Sequence, residues 1–216
     1  MHAVKVVRYE LAMTRSRMMH RRIDPRFKPG MNLFVNLGCG RHGKPGWVNV
    51  DSALAPGVTC VYDCRRHIPL PASCAQAVFT EHLMEHLDYD DEVPVFLAEC
   101  RRILQADGII RIVVPDGRKY LLAYAAGGWD HLRAFSPLLD GHDGYATPME
   151  VVNAHFRQGG QHRYSYDFDT LRECLLRSGF EDVRNCAFGE SRLPELAIDL
   201  VARASESLYV EATVGA

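Results

Sequence analysis

The chain has 216 residues, of which 47% are apolar and 24% charged, with a formal net charge of −2. That length suits one domain with a full core, and the balance excludes disordered and collagen-like classes. No apolar stretch approaches the roughly 20 residues of a membrane-spanning helix, and seven scattered cysteines without a CxxC pair read as reduced thiols of a cytoplasmic protein.

The charge is uneven along the chain. Residues 1–30 carry eight lysines and arginines against Glu10 and Asp24, a net +6 that leaves −8 for the rest. This basic arm could meet nucleic acid, an anionic lipid face or a phosphorylated substrate, or could be a solvated flank that packs Val4, Val6, Val7, Leu11 and Met18 on the domain. It has no uninterrupted apolar core and no small-residue cleavage site, so a signal peptide is not expected.

From residue 31 onward strands and helices alternate. "LFVNL" (33–37) is an apolar run that stops at Gly38, as a buried parallel strand would. "WVNVD" (47–51) and "TCVYD" (59–63) are the next two strands. A Pro-bounded loop, "IPLPAS", then leads to a fourth strand, "AQAVFT" (75–80). Phe96, Leu97, Cys100, Ile103 and Leu104 recur at helical spacing, and "ADG" closes that helix. "IIRIVV" (109–114) is a fifth strand ended by Pro115. Residues 117–166, rich in Gly, Tyr and His, break the rhythm and are expected to form a cap-like insert of short helices. Its aromatic residues (Tyr120, Tyr124, Trp129, Phe135, Tyr145, Phe156, Tyr164) would stack on a ring substrate or build the insert's own small core. A helix returns at "DFDTLRECLLRSGF", with Asp167 or Asp169 near its N-cap and Gly179 past its end. Two more strands follow near 182–188 and 206–213. The alternation predicts a mainly parallel sheet covered on both faces, with ligands bound beyond the carboxyl ends of its strands.

The first such end reads "VNLGCGRHGKPGWVNVD" (35–51), with three glycines in six residues. A dinucleotide site would place its ribose-binding acid about 20 residues after the glycines, but only eleven separate Gly40 from Asp51. The connection from Gly38 to Gly46 contains Pro45 and has room for about one helical turn, so a pyrophosphate would lack its helix N-terminus. A cofactor with a ribose and adenine but no phosphate suits better. Asp51 could accept from ribose hydroxyls and Asp63 from an adenine amino group.

At this point the chain resembles a known family. "VNLGCG", "GWVNVD", "IPLP", "HLMEHL", "AECRRILQADGIIRIVVPD", "HRYSYDFDTLRECLLRSGFEDV" and "ESLYVEA", in this order, are similar to class I S-adenosylmethionine-dependent methyltransferases, in particular the small bacterial type 11-like group. The resemblance implies a Rossmann-like α/β fold: a seven-stranded sheet of order 3-2-1-4-5-7-6, strand 7 antiparallel, with helices on both faces. It implies S-adenosyl-L-methionine as cofactor. Gly38 and Gly40 would face its methionine part, Asp51 its ribose, and Asp63 with the Cys64 backbone its adenine. The full binding set so implied is Asn36, Gly38, Cys39, Gly40, Asp51, Ser52, Asp63, Cys64, Thr80 and Glu81. Asn36 stands where an acid is common, and Ala75 and Gln76 depart from the usual fourth strand.

Methyl transfer is an in-line displacement, so the protein must align the nucleophile and exclude water. An oxygen acceptor also needs a proton acceptor, a task suited to histidine. The catalytic candidates are His82 and Asp116, both at strand ends, and His131, His142, His155 or His162 from the insert, of which His142 with Asp143 in "DGHDG" comes next after the first two. The last pair could also bind a divalent ion or form a plain turn. The expected partner is a small-molecule substrate, such as a sugar, polysaccharide precursor or secondary metabolite. Nucleic acid is disfavoured, a homodimer is admissible, and no metal is expected. Two other classes remain open. "HLMEH" (82–86) matches H-x-x-E-H, in which His82 and His86 would bind zinc from one helical face with Glu92 or Glu99 as a later ligand. Alternatively, a noncatalytic cofactor-binding module would act through its basic arm.

Overall fold

The computed structural model describes Leu11, Thr14 and residues 26–139 and 144–215. Most of the basic arm, and the His142–Asp143 pair, lie outside the described residues. Seven strands form one sheet: β1 (Leu33–Leu37), β2 (Val48–Asp51), β3 (Cys60–Val61), β4 (Ala75–Glu81), β5 (Leu104–Pro115), β6 (Phe180–Cys186) and β7 (Ser207–Val214). Their order is β3-β2-β1-β4-β5-β7-β6. Pairs among β1–β5 are parallel, and β7 runs antiparallel to both β5 and β6. The expected order and the antiparallel seventh strand are therefore those observed.

Helix α1 (Val93–Ile103) buries Val93, Phe96, Leu97, Cys100 and Ile103, a stripe repeating every three or four residues. Each such side chain contributes about 1.5–3 kcal/mol when fully buried. Pro94 sits in its first turn, where a missing N–H costs nothing. The helix stops at Ile103, and "ADG" falls within β5, with Asp107 at φ 59°. Among its described residues the insert holds three α-helices: α2 (Gly117–Ala125), α3 (Trp129–Arg133) and α4 (Pro148–Arg157). They build a small core of Tyr120, Ala123, Leu132 and Val151, joined by Trp129, Phe135 and Tyr145. Helix α5 (Phe168–Arg177) is capped by Asp167, whose side chain accepts from Thr170 N at 2.9 Å.

The two faces of the sheet are covered differently. Ile110, Ile112 and Val114 of β5 join the main core with α1 and with Leu171 and Leu175 of α5. The alternate residues Ile109 and Val113 face Trp47, Leu193, Leu196 and Ile198. Among the described residues, that second face is covered by the β6–β7 connection, in which short 3-10 turns occur at Pro194–Leu196 and Val201–Arg203.

A group of charged residues stands inside this second layer. Arg111 of β5 is fully buried. It donates to both carboxylate oxygens of Asp199, at 2.8 and 2.6 Å, and to Glu211 Oε1 at 3.0 Å. Glu211 lies directly opposite it on β7. The pairing ties the β6–β7 connection to the sheet.

Candidate active site

The sheet order reverses between β1 and β4, and the crevice opened by such a reversal is where ligands bind in this architecture. A cleft of about 220 Å³ lies there. Six residues singled out from the sequence line it: Asn36, Gly38, Cys39, Gly40, Glu81 and His82. Asp51, Ser52, Asp63, Cys64, Thr80 and Asp116 do not line the cleft itself. His42, Lys44, Phe79, Leu200 and Arg203 complete its walls. Leu200 and Arg203 come from the β6–β7 connection, which has no periodic pattern to mark it in the sequence.

No helix forms between β1 and β2, so even the single turn allowed by length is absent. The loop's amides are already used. Gly38 N and Cys39 N donate to Val50 O at 2.8 and 3.2 Å, and Gly40 N donates to Asp51 Oδ2 at 2.8 Å. A pyrophosphate would find neither a helix N-terminus nor a free row of N–H groups. Asn36, buried in β1, donates to His42 O at 3.3 Å and holds the loop's far side.

Gly38 and Gly40 have φ of 69° and 51°, the left-handed region. A Cβ on Gly38 would also stand 3.0 Å from Leu83 Cδ2. Gly38→Ala is therefore expected to cost about 1–2 kcal/mol from the backbone alone. A melting temperature unchanged within a degree would contradict that.

Asp51 ends β2 with its carboxylate oriented from two sides: Oδ2 accepts from Gly40 N and Oδ1 from Ala53 N, both at 2.8 Å. A carboxylate offers about four lone-pair sites, so roughly two remain for a ligand's hydroxyls. Asp63 is more committed. It is buried and accepts from Arg65 Nε at 2.9 Å and from Arg65 Nη2 at 3.0 Å, while Arg65 also reaches Glu92. Cys64 beside it is buried, which raises its thiol pKa and keeps it protonated. Burial likewise pushes Cys39 up to about 11.

Strand β4 delivers Thr80, Glu81 and His82. Thr80 Oγ1 is buried and has no hydrogen-bond partner among the described residues. Glu81 Oε1 accepts from Leu200 N at 3.0 Å, and burial raises its pKa. His82 sits at φ 53° with its N–H on Val113 O. Its Nε2 is 2.9 Å from Ser207 Oγ and its Nδ1 is 3.6 Å from Glu85 Oε1. Burial first, then Arg203 and neighbouring histidines, lowers its pKa to about 2, so the ring is neutral.

The left-handed backbone at His82 has a second consequence. Residues 82–86 are not an α-helix; only Met84–His86 form a 3-10 turn. His82 and His86 therefore do not share a helical face as the inverted zinc-protease spacing requires. Glu92 is engaged with Arg65 and with Asp88 N, and Glu99 with Arg102 and Ile68 N. Asp116 caps α2, accepting from Arg118 N at 3.0 Å, and burial raises its pKa.

A family model described as a methyltransferase domain matches residues 47–112. That span runs from the start of β2 through most of β5 and includes Asp51, Asp63, Glu81 and His82. Over this span the chain is similar to a methyltransferase domain. Solved structures share the fold at low identity. A methyltransferase from Archaeoglobus fulgidus, described as SAM-dependent, is 16% identical with a TM-score of 0.52, over 94% of this chain and 93% of that one. A possible histamine N-methyltransferase from Thermotoga maritima is 14% identical with a TM-score of 0.51, over 98% and 95%. The 1,6-didemethyltoxoflavin-N1-methyltransferase of Burkholderia thailandensis, solved with its substrate and S-adenosylhomocysteine, is 14% identical with a TM-score of 0.50, over 95% and 77%. A search of curated proteins returns no match.

Proposed function

We propose that this chain is an S-adenosylmethionine-dependent methyltransferase that acts on a small molecule, at an oxygen of a sugar, a polysaccharide precursor or a secondary metabolite. The observation that carries the cofactor side is the Asp51 carboxylate, fixed by Gly40 N and Ala53 N with lone pairs to spare beside a loop whose amides are taken. Asp51 would hold the ribose. Gly38 and Gly40 admit the methionine part without a Cβ, and Lys44 and Arg203 offer its carboxylate positive charge from the cleft wall. Asp63, with the Cys64 backbone, is our assignment for the adenine end, with Asn36, Cys39, Ser52, Thr80 and Glu81 completing the set.

The cofactor supplies a methyl carbon activated by a sulfonium. The protein's part is to align the acceptor and keep water out. His82, neutral and at the cleft, is assigned to orient the acceptor hydroxyl. Asp116 and His142 are the other candidates for its proton. The helices of residues 117–166 are assigned as a cap on the acceptor side. Support comes from Lys119 Nζ on Ser205 O and Ser207 O, both at 2.9 Å, and from Tyr120 Oη on Glu206 Oε2 at 2.9 Å, next to the strand end that holds His82. The seven cysteines are all unpaired, which supports a reducing compartment such as the cytoplasm.

Calorimetric titration with S-adenosylhomocysteine tests the cofactor site. Saturable binding of one ligand per chain is expected, and no heat at millimolar ligand overturns the reading. Turnover with S-adenosylmethionine across hydroxyl-bearing and amine-bearing acceptors then decides the acceptor atom. Methylation of amines alone sinks the oxygen assignment.

A further inference from the structure

Beside the cleft lies a cluster that methyl transfer does not use. Glu85, His86 and His162 each present one ligand atom, and these atoms all lie within 4.8 Å of one another. Glu85 is 2% exposed, and among the described residues neither of its carboxylate oxygens receives a hydrogen bond. Buried carboxylates are otherwise paired, hydrogen-bonded or bound to metals. His86 Nε2 stands 3.9 Å from Glu85 Oε1.

The second ring nitrogens are already fixed in the manner of metal-bound imidazoles. His86 Nδ1 lies 3.1 Å from Gln161 O, and His162 Nδ1 lies 2.6 Å from His155 O. A carbonyl only accepts, so both Nδ1 atoms carry the proton and both Nε2 atoms keep a lone pair. Outer hydrogen bonds of this type orient metal-ligating histidines. Backbone frames the site as well, since Arg163 N and Tyr164 N donate to Glu85 O at 2.7 and 3.3 Å.

We propose that Glu85, His86 and His162 bind one divalent transition-metal ion of the zinc class. Two imidazoles and one carboxylate form a borderline nitrogen–oxygen set suited to zinc rather than to magnesium or calcium. Zinc–nitrogen bonds of about 2.0–2.1 Å set tetrahedral donors roughly 3.4 Å apart, so the donors close by an ångström or so around the ion. The side chain of His86 is about a third exposed, which leaves the ion a way in. This ligand set differs from the H-x-x-E-H arrangement: Glu85 is itself a ligand, and His162 arrives from the chain after α4. The ion would fasten that segment to the turn after β4, one side chain from the cleft.

The test uses the tag-free full chain, stripped with chelator and titrated with Zn²⁺ and with Co²⁺. One zinc per chain is expected, with visible ligand-field absorption for cobalt and a rise in melting temperature on zinc addition. His162→Ala and His86→Asn should each weaken zinc binding on the order of 100-fold or more and abolish the thermal shift. Binding of S-adenosylhomocysteine reports separately that each variant is folded. Absence of stoichiometric zinc binding by the wild type overturns the proposal. So does equal zinc affinity in both folded variants.

Discussion

Replacing Asp51 with alanine is expected to weaken S-adenosylhomocysteine binding by roughly 100-fold or more, with the fold retained. Hydrogen bonds to a charged group contribute about 1.5–3 kcal/mol each, and a factor of ten corresponds to about 1.4 kcal/mol. Loss of the two proposed ribose bonds would therefore exceed two decades. The variant also frees Gly40 N, which now donates to Asp51 Oδ2 at 2.8 Å, so the loop loses its tie to the end of β2. Asp51→Asn separates these effects. Its amide oxygen can still accept from one backbone N–H, so the loop should hold while affinity drops less steeply. Titration calorimetry on the three proteins reads the affinities, and circular dichroism confirms that each is folded. An unchanged affinity in Asp51→Ala would remove this carboxylate from the cofactor site.

Much of the frame is legible in the sequence because parallel strands are apolar runs cut by Gly and Pro, and a cut that follows a strand, such as Gly38 after β1, marks the carboxyl end on the ligand side. Leu33–Leu37 and Val48–Asp51 fall within a residue of their sequence boundaries for that reason. The site is less legible wherever partners meet from far along the chain. The tie of Asp63 to Arg65 is local and could have been read from an acid two residues before an arginine. The HLMEH spacing suggested a helix, but spacing carries no backbone angle. His82 at φ 53° ends the strand in a turn and sends its ring elsewhere. His162 reaches the neighbourhood of Glu85 only through the whole insert. Leu200 and Arg203 belong to a segment with no period, because it lies across a sheet instead of forming an element of its own.

Arg111 illustrates the same limit and carries the largest expected effect on stability. Inside "IIRIVV" it reads as a polar interruption of a buried strand, and its partners Asp199 and Glu211 stand 88 and 100 residues away. All three side chains are 0% exposed. Arg111→Ala leaves two carboxylates buried with their main counter-charge gone, and breaking a buried pair in this way costs about 3–5 kcal/mol. For a chain of this size that corresponds to a fall in melting temperature of roughly 6–20 °C. The loss should also reach the cleft, because Leu200 and Arg203 in its wall lie one and four residues after Asp199. Removing all three charges together, as Arg111→Met with Asp199→Leu and Glu211→Met, should cost far less than Arg111→Ala, since an apolar set of similar volume leaves no charge stranded. Thermal denaturation of the single and triple variants decides the matter. If the triple variant is the less stable, the three charges are net stabilising, and the β6–β7 connection is held to the sheet by ion pairing rather than by the apolar contacts of Leu193, Leu196 and Ile198 around it.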